Sequence, residues 1–508
     1  MGIRLSSAPY SIVIVGSGFG GSMAAYALAK AGLKTLLLER GSWAKRDVLD
    51  WNPRTILLEQ RYKSRSPIVV KQGNDRDFSL LYPNEVVGGL SVFFGGASLR
   101  LREKDFTAWP ISYAELEPYY CKAEQLLEVH GESGQDICEP FRSEDYQSGS
   151  IELTRPAKRI SAAASRLGYH PFKIPLALNF QNTVRTMCIK CNTCDGFPCK
   201  IEAKNDLATT VLPKAQRFGL EIMSGIIVTR LVHNNDRITE VECLDTTSQR
   251  RFSIAAKVVV LSAGALHSPA ILLRSNLEMN ENHRFVGRFL MRHCSAVVTG
   301  LFPFETNPES VFHKQLCLTD FYEDFREKFG TATGVIQDIY TPAPEIVRHF
   351  APWGLKWLTG VAAKYAQNLL CIAEDDPCFD NAVSLSNQRD PYGLEIVEVT
   401  YHHTRNDYGR RDYLIDLARR ILREAGALGS RIYPLSTFSH AMGTLRFGRT
   451  PQESVLDSHC QFWGFENLFV LDGSFMPTAG GVNPSLTIAA NALRVADYLV
   501  ANFDQCSR

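Results

Sequence analysis

The sequence predicts an α/β protein made of two or more structural units. The chain has 508 residues, which is too long for one simple hydrophobic core. A strand, a glycine-rich turn, a helix and a second strand follow one another near its N-terminus. Similar strand–turn–helix segments return in the middle of the chain and near its end, so strands and helices alternate in widely separated parts of the sequence.

The composition is that of an ordinary globular protein, with 45% hydrophobic and 21% charged residues. Lysine and arginine number 55 against 54 acidic residues, and the net charge of +1 gives no reason to expect a nucleic acid or an anionic membrane as partner. No uncharged apolar run is long enough to span a bilayer, and the first apolar run, Ile12–Val15, does not belong to a signal peptide. We therefore expect a cytoplasmic protein without a transmembrane span.

One apolar segment, Phe350–Ile372, could contact a membrane or a substrate. Its sequence FAPWGLKWLTGVAAKYAQNLLCI is interrupted by Lys356 and Lys364. This pattern favours an amphipathic helix packed on the body of the protein. A substrate lid or a helix at a membrane surface is the alternative, and it leaves peripheral membrane association open.

The N-terminal unit carries the most specific motif. Ser11–Val15 is a β-branched run typical of a buried strand, and Ser22–Ala31 is rich in alanine and leucine, as expected of a helix. The loop between them, Gly16–Gly21, reads GSGFGG, and a second predicted strand, Leu33–Leu38, is followed by Glu39. Strand, glycine triad, helix, strand and acid in this order predict a dinucleotide-binding unit of the Rossmann type.

Each position in this unit has a physical role. Gly16 permits a tight turn, Gly18 lets the backbone approach a pyrophosphate, and Gly21 lets helix and strand pack closely. The helix N-terminus offers free N–H groups to the phosphates, and Glu39 can accept hydrogen bonds from ribose hydroxyls. The unit by itself does not distinguish FAD from NAD. Its candidate cofactor-binding residues are Gly16, Gly18, Phe19, Gly20, Gly21, Glu39 and Arg40.

A second glycine-rich loop follows in Asn84–Leu99, where the sequence reads NEVVGGLSVFFGGASL. Such a loop lets the backbone run close to a flat or charged ligand, and its apolar side chains argue against full exposure to solvent. Its candidate cofactor-binding residues are Gly88, Gly89, Ser91, Gly95 and Gly96.

Two later segments repeat the pattern of strand, turn and helix. Ala255–Ser275 is the first of them. Near the C-terminus, Leu468–Leu471 is a predicted strand that ends at an acid, and Ser485–Leu499 is a predicted helix. An acid at a strand end and a helix N-terminus together suit a ribityl chain and the edge of a flavin ring. The candidate cofactor-binding residues here are Ala263, Gly264, Asp472, Gly473, Asn483 and Pro484.

Together these motifs resemble the glucose–methanol–choline (GMC) oxidoreductase family, and the resemblance covers nearly the whole chain. It rests on the N-terminal glycine triad, the loop Gly88–Ser91, the turn Ser262–Gly264, His440 with Gly443 and Thr444, and Asn483 with Pro484. The resemblance implies FAD as cofactor and adds Val228 to the cofactor-binding residues.

Two local features refine this resemblance. The segment Trp109–Tyr120 is similar to one found in the bacterial sugar and polyol dehydrogenase branch. Some members of that branch carry a histidine in the Gly-Gly-x-Ser loop that bonds covalently to the flavin. This chain has Val92, Phe93 and Phe94 there instead, so we expect FAD to be bound non-covalently.

The resemblance also implies a discontinuous architecture, with a Rossmann-like FAD-binding domain related to that of p-hydroxybenzoate hydroxylase and an α+β substrate-binding domain that contains a mainly antiparallel sheet. The FAD-binding domain would comprise residues 8–130, 205–300 and 440–508, and the substrate-binding domain residues 131–204 and 301–439.

The expected chemistry assigns two catalytic residues. Oxidation of an alcohol removes a proton from the hydroxyl group and a hydride from the carbon, and the flavin accepts the hydride. Histidine suits the task of base near neutral pH, and an asparagine amide can donate a hydrogen bond to the oxygen without titrating. Because the family places its catalytic histidine and a second histidine or asparagine at the positions matched here, the resemblance implies His440 as base and Asn483 as orienting donor.

Four cysteines, Cys188, Cys191, Cys194 and Cys199, lie in one short loop with the sequence CIKCNTCDGFPC. Thiolates at this spacing can hold zinc or an iron–sulfur cluster, and some sugar dehydrogenases of the family carry a cluster in a comparable segment. We favour a structural role without a metal, and zinc or a cluster is the alternative.

The sequence thus predicts an FAD-dependent alcohol dehydrogenase or oxidase, with a sugar, glycoside or polyol as substrate. A sterol-like or fatty alcohol is a second hypothesis, which the apolar segment Phe350–Ile372 favours. A redox-silent lyase that contains FAD is a third. Oxygen, a quinone and a cytochrome all remain open as electron acceptor.

Overall fold

The computed structural model describes residues 9–71, 78–181, 183–277, 281–311 and 314–508. Within these ranges the chain forms 17 strands and 11 α-helices. The strands are β1 (Tyr10–Val15), β2 (Thr35–Glu39), β3 (Ile68–Lys71), β4 (Phe78–Leu81), β5 (Phe172–Lys173), β6 (Glu221–Ser224), β7 (Ile226–Asn234), β8 (Arg237–Asp245), β9 (Arg251–Leu261), β10 (Ala296–Leu301), β11 (Leu316–Leu318), β12 (Gly334–Ile339), β13 (Ala366–Ala373), β14 (Ala382–Arg389), β15 (Glu395–Thr400), β16 (Gly429–Pro434) and β17 (Leu468–Val470). The helices are α1 (Phe19–Lys30), α2 (Tyr113–Leu126), α3 (Arg155–Arg166), α4 (Val211–Arg217), α5 (His267–Ser275), α6 (Arg326–Phe329), α7 (Pro344–Phe350), α8 (Lys356–Ala362), α9 (Arg405–Glu424), α10 (Ser485–Ala501) and α11 (Phe503–Cys506).

The largest sheet has seven strands and joins the three predicted strand–turn–helix units. Its order is β6-β2-β1-β9-β8-β7, and β17 also pairs with β9. The pairs of β1 with β2, β1 with β9 and β17 with β9 are parallel. Helices cover such parallel strands on both faces, so β2 and β17 are buried throughout and consist almost entirely of apolar residues. The N-terminal, central and C-terminal motifs therefore end at the same edge of one sheet.

A second sheet has six strands in the order β16-β10-β13-β12-β11-β5, and all its pairs are antiparallel. The long helix α9 packs on this sheet. It begins at a capping box, in which the side chain of Thr404 accepts from the N–H of Asp407 and the carboxylate of Asp407 accepts from the N–H of Thr404. The predicted combination of a Rossmann-like parallel unit with a mainly antiparallel second sheet is confirmed.

A third sheet, of the order β14-β15-β3-β4, links distant parts of the chain. β15 pairs in parallel with β3, although the predicted domains assign these two strands to different units. In addition, β10 begins at Ala296, inside the range predicted for the FAD-binding domain, and belongs to the six-stranded sheet. The domain boundaries stay a prediction.

The segment Trp109–Tyr120 contributes buried side chains to the protein core and contacts the C-terminal helix and the loop before it. Trp109 is fully buried, and its indole Nε1 donates to Thr478 Oγ1 at 2.8 Å. Tyr120, on α2, shares a hydrogen bond of 2.7 Å with Thr487 on α10. These contacts fix the loop before α10, which carries Asn483.

The prediction of a single amphipathic helix over Phe350–Ile372 is wrong. α7 ends at Phe350, α8 is only seven residues long, and the second half of the segment is β13. β13 is a central strand of the antiparallel sheet and is buried throughout, and a short, continuously apolar run of this kind cannot be told from a buried helix by its pattern. Between the helices, Trp353 is 90% exposed, and Trp357 on α8 is 74% exposed. None of the helices in the described ranges is long and apolar enough to cross a membrane.

Candidate active site

The first glycine loop lies between β1 and α1, and its glycines have different surroundings. A Cβ atom on Gly21 would collide with the carbonyl oxygen of Gly16, and one on Gly20 would collide with the carbonyl oxygen of Leu471. A Cβ on Gly18, in contrast, would meet no atom within 4 Å. Gly18 is also the N-cap of α1, and no side chain caps this helix end. The free N–H groups and the open space at Gly18 suit a pyrophosphate group.

Glu39 joins the two glycine-rich loops through Ser17. The Ser17 hydroxyl donates to Glu39 Oε2 at 2.6 Å, and the N–H of Gly88 in the second loop donates to Ser17 Oγ at 2.8 Å. The N–H of Gly41 donates to the other carboxylate oxygen at 2.8 Å. Burial raises the pKa of Glu39, while these hydrogen bonds favour its charged form. The neighbouring Arg40 pairs with Glu85 at 2.7 Å.

The second loop is folded tightly against the first. Gly88 has a φ of +95°, in the left-handed region that favours glycine, and its carbonyl oxygen accepts from the hydroxyl of Ser91 at 2.7 Å. A Cβ on Gly89 would come within 3.0 Å of the Cα of Gly18. Farther along, Gly95 lies against the side chains of Lys314 and Asp195, while Gly96 accepts from the N–H of Ala177 at 2.8 Å. Phe19 packs edge-on against Phe94, with ring centroids 5.4 Å apart.

Asp472 connects the central and C-terminal segments. Its carboxylate accepts from the N–H of Gly264 and from the N–H of Ser474, each at 2.9 Å. Burial raises the pKa of Asp472, and these donors lower it. The carbonyl oxygen of Gly473 accepts from the N–H of Gly443, next to the segment of His440. The turn Ala263-Gly264 is open above Gly264, where a Cβ would meet no atom within 4 Å.

His440 lies in a turn after β16 and contacts a second histidine. Its Nδ1 is 2.9 Å from Nδ1 of His293, and the two rings are nearly perpendicular, at 88°. The Nε2 atom of His293 lies 2.8 Å from the carbonyl oxygen of Gly480. Burial, the neighbouring His293 and the positive charge of Lys314 hold the pKa of His440 well below its usual range. His440 is therefore neutral at pH 7 and able to accept a proton.

Asn483 lies in the same loop as Gly480, directly before α10. Its Oδ1 accepts a hydrogen bond of 2.7 Å from the side-chain amide of the buried Gln337, and this network leaves the NH₂ group of Asn483 free to donate. Two further contacts fix the loop: the N–H of Gly480 donates to Glu374, and the N–H of Gly481 donates to the hydroxyl of Tyr322, each at 2.9 Å. The predicted base, through His293, and the predicted donor are thus connected to the same loop.

The two remaining predicted cofactor-binding residues are Val228 and Pro484. Val228 is buried in β7, which begins after Gly225, whose N–H donates to the carbonyl oxygen of Gly41 beside Glu39. Pro484 is the N-cap residue of α10, and no side chain caps this helix end.

The loop with Cys188, Cys191, Cys194 and Cys199 packs against the second glycine-rich loop. The buried Lys204 ties the two together, because its Nζ donates to the carbonyl oxygens of Cys194 at 2.7 Å and of Val92 at 3.1 Å. Burial raises the pKa of Cys188 to about 11, so its thiol is protonated at pH 7. No group of three or more His, Cys, Asp or Glu side chains in the described ranges is placed to hold a metal ion.

Three residues near the site carry no sequence motif. His293 contacts His440, Gln337 holds Asn483, and the buried Lys314 forms a 2.9 Å ion pair with Asp195. All three come from parts of the chain that are distant in sequence from residues 440 and 483. A single sequence does not show which polar residues contact one another in the fold. These three residues are therefore found only from the structure.

Comparison with known proteins supports the assignment that these motifs suggest. Two family models, both described as GMC oxidoreductase, match residues 10–295 and 377–492. The chain belongs to the GMC oxidoreductase family. It is therefore an FAD enzyme that oxidises alcohol groups.

Three similar proteins illustrate the range of this GMC family. The 6'''-hydroxyparomomycin C oxidase of Streptomyces lividus is 30% identical, over 97% of this chain and 92% of its own length. Paromamine 6'-oxidase of Streptomyces fradiae is 31% identical, over 96% of this chain and 90% of its own length. Among solved structures, pyridoxine 4-oxidase from Mesorbium loti matches with a TM-score of 0.69 and 19% identity, over 96% of this chain and 99% of that one. The last comparison shows that the fold is shared.

The residues of this GMC oxidoreductase fit FAD at four places. The space at Gly18 and the uncapped end of α1 suit a pyrophosphate, and Glu39, at the end of β2, is placed as an acid that could accept from a ribose. Space is also open above Gly264, next to Asp472. The second uncapped helix end, at α10, lies beside Asn483.

Proposed function

We propose that this protein oxidises a CH–OH group of a sugar, glycoside or polyol to a carbonyl group, with His440 as general base and Asn483 as hydrogen-bond donor to the substrate oxygen. The observation that carries this proposal is that both side chains are attached to one loop: His440 through His293 to Gly480, and Asn483 as part of the loop itself.

The two residues divide the work of the reaction. When bound, FAD supplies the acceptor for the hydride that leaves the substrate carbon. Neutral His440 takes the proton of the substrate hydroxyl, so negative charge does not accumulate on the oxygen. The NH₂ group of Asn483 holds that oxygen and keeps its direction, because Gln337 fixes the other end of the amide at 2.7 Å.

The proposed substrate class rests on the relatives and on the polarity of the site. Both Streptomyces relatives are aminoglycoside oxidases, whose substrates contain sugar rings. In this chain, the buried Lys314 lies close enough to His440 to lower its pKa and pairs with the partly exposed Asp195, and hydroxyl-rich substrates can hydrogen-bond with such groups. These polar side chains favour a sugar or polyol over a wholly apolar alcohol.

The second candidate is a sterol-like or fatty alcohol. The exposed aromatic side chains of Trp353, between α7 and α8, and Trp357, on α8, favour it, because they offer an apolar surface to a long apolar substrate. The third candidate, a redox-silent lyase, would leave the flavin oxidised in the presence of substrate.

One experiment separates these candidates. The purified protein is mixed without oxygen with a panel of aminoglycosides, hexoses, glycosides and polyols, and in parallel with fatty alcohols and sterols, while flavin absorbance is recorded. We expect bleaching by a member of the first group. Bleaching only by fatty alcohols or sterols would assign the substrate to that class instead of the sugars and polyols. The absence of bleaching by any alcohol would contradict the proposed function. Reoxidation of the bleached protein by oxygen, a quinone or cytochrome c then identifies the electron acceptor.

We also propose that FAD is bound without a covalent link. Val92, Phe93 and Phe94 occupy the part of the second loop in which a covalent attachment would require a histidine, and Val92 and Phe93 are buried in a small apolar cluster. Precipitation of the protein with acid should therefore release all of the yellow chromophore into the supernatant. Colour that stays with the precipitate would contradict this.

A further inference from the structure

The ring of His293 bridges the proposed base and the loop of Asn483. Its Nδ1 lies 2.9 Å from Nδ1 of His440, and its Nε2 lies 2.8 Å from the carbonyl oxygen of Gly480. His293 is only 1% exposed, so these protein atoms, rather than bulk water, satisfy both of its ring nitrogens.

These two contacts assign the protons of both histidine rings. A carbonyl oxygen only accepts hydrogen bonds, so Nε2 of His293 must carry a proton. A neutral imidazole has a single N–H group, and Nδ1 of His293 therefore accepts the hydrogen bond from Nδ1–H of His440. The lone pair of neutral His440 then lies on Nε2, the nitrogen that His293 does not contact.

The backbone around His293 is built to hold this arrangement. The φ angle of His293 is +64°, in the left-handed region that residues other than glycine rarely adopt. Asp375 accepts from the N–H of His293 at 3.0 Å, from the N–H of Arg292 at 2.7 Å and from the hydroxyl of Tyr401 at 2.5 Å. These three hydrogen bonds to the buried carboxylate of Asp375 stabilise the left-handed backbone conformation of His293, which is otherwise unfavourable.

We infer that His293 is a positioning residue, which keeps the proton of His440 on Nδ1 and takes that proton over while His440 receives the proton of the substrate hydroxyl. This inference rests on the proposed function. In this step the O–H bond of the substrate breaks and an N–H bond forms at Nε2 of His440. At the same time the Nδ1–H bond of His440 breaks and an N–H bond forms at Nδ1 of His293.

The charges around the two rings favour transfer of the proton from His440 to His293. Burial lowers the pKa of both histidines. Beyond burial, the carboxylate of Asp375 raises the pKa of His293, whereas Lys314 lowers that of His440. Arg292, whose N–H also donates to Asp375, and Glu374, which accepts from the N–H of Gly480, are further charged residues close to the pair. After the transfer the positive charge lies on His293, one ring farther from the substrate and closer to Asp375.

The position of the proton can be measured without a substrate. In holoenzyme labelled with [¹⁵N]histidine, the ring signals of His440 are identified as those that disappear in the His440→Asn variant. We expect a protonated Nδ1 and an unprotonated Nε2 for His440 at pH 7. A proton on Nε2 would overturn the inference, whatever the alcohol panel shows.

The transfer step is tested with the variant His293→Asn. Asparagine tolerates the left-handed backbone, and its Oδ1 can accept from Nδ1–H of His440 in place of the ring nitrogen, but it cannot take up a proton. We expect this variant to bind FAD and to keep the proton of His440 on Nδ1. We expect its rate of anaerobic flavin reduction, at saturating concentration of the alcohol that bleaches the wild type best, to fall at least about tenfold, with KM unchanged.

The matched control is His130→Asn. His130 is another buried histidine, and its Nδ1 lies 3.2 Å from the carbonyl oxygen of Gly149. We expect this variant to reduce flavin at the wild-type rate. A wild-type rate in His293→Asn, or the same loss in both variants, would overturn the transfer step. If no alcohol bleaches the wild type, the proposed function fails, and the NMR measurement still decides the position of the proton.

Discussion

The Nδ1 atoms of His293 and His440 lie 2.9 Å apart, although the two histidines are 147 positions apart in the chain. This contact links the turn after β16 to the segment before β10, and through Gly480 to the loop before α10. Three distant parts of the chain therefore define the surroundings of the proposed base.

Replacement of the base should separate chemistry from cofactor binding. We expect His440→Ala to retain FAD, because the contacts of the glycine-rich loops do not involve His440. The rate of anaerobic flavin reduction should fall about 10²–10⁴-fold, the usual effect of losing a positioned base. Stopped-flow absorbance at saturating substrate measures this rate. The exposed His170, which pairs with Asp320, provides the control variant His170→Ala. Near-normal reduction in His440→Ala would remove this residue from the mechanism.

Replacement of the donor should affect the chemical step more than binding. Asn483→Ala removes the amide that holds the substrate oxygen, and we expect kcat to fall about 10²-fold, as for other lost donors to a reacting oxygen. Gln337→Leu leaves the amide in place and removes only the 2.7 Å hydrogen bond that orients it, so its effect on kcat should be smaller. Steady-state kcat and KM of both variants are compared. Asn483→Ala with an unchanged kcat would contradict the assigned role.

Substitution of Gly18 should affect FAD binding, whereas substitution of Gly21 should affect the stability of the fold. Gly18→Ala adds a methyl group in open space, so we expect a folded protein with weakened FAD binding. Gly21→Ala places the methyl group on the carbonyl oxygen of Gly16, so we expect a loss of stability or of folding. FAD titration of the apoprotein and thermal unfolding distinguish the two effects. A lowered melting temperature of Gly18→Ala together with unchanged FAD affinity would contradict this expectation.

Acid should destabilise the protein through its buried histidines. Burial lowers the pKa of both His293 and His440 in the folded state, whereas an unfolded histidine titrates near its ordinary value of about 6.5. Below that pH the unfolded chain binds more protons, so the free energy of unfolding falls as pH decreases. Urea unfolding between pH 7.5 and pH 5.5 measures this slope. The variant His440→Asn should show a shallower slope, and an unchanged slope would show that His440 does not contribute.

Removal of metal ions should leave the protein unchanged. The thiols of the loop Cys188–Cys199 are not placed to hold a metal ion, and burial keeps Cys188 protonated at pH 7. We expect iron and zinc well below one equivalent per chain after the flavin is extracted. A chelator should leave the melting temperature of the holoenzyme unaltered. Stoichiometric iron or zinc, or a chelator-dependent loss of stability, would assign the cysteines to a metal site.

Much of the fold was predictable because its motifs are local. The strand before Gly16, the glycine loop and the acid at Glu39 follow one another within thirty residues, and short-range sterics and helix-end electrostatics determine their structure. The segment Phe350–Ile372 was not predictable in this way, because the sheet on both sides of β13, rather than the local pattern, decides that its second half is a strand.

The sequence by itself determined the candidate residues: glycines where the backbone could approach a phosphate, Glu39 at a strand end, and one histidine and one asparagine beside family motifs. Only the tertiary structure decided their surroundings. His293, Gln337 and Lys314 have no periodic or motif signal, and they reach the site because β10, β11 and β12 belong to one antiparallel sheet that ends beside residues 480–483. Which ring nitrogen of His440 carries the proton depends on such contacts between distant parts of the chain, because hydrogen bonds and burial act over a few ångströms in space and not along the chain.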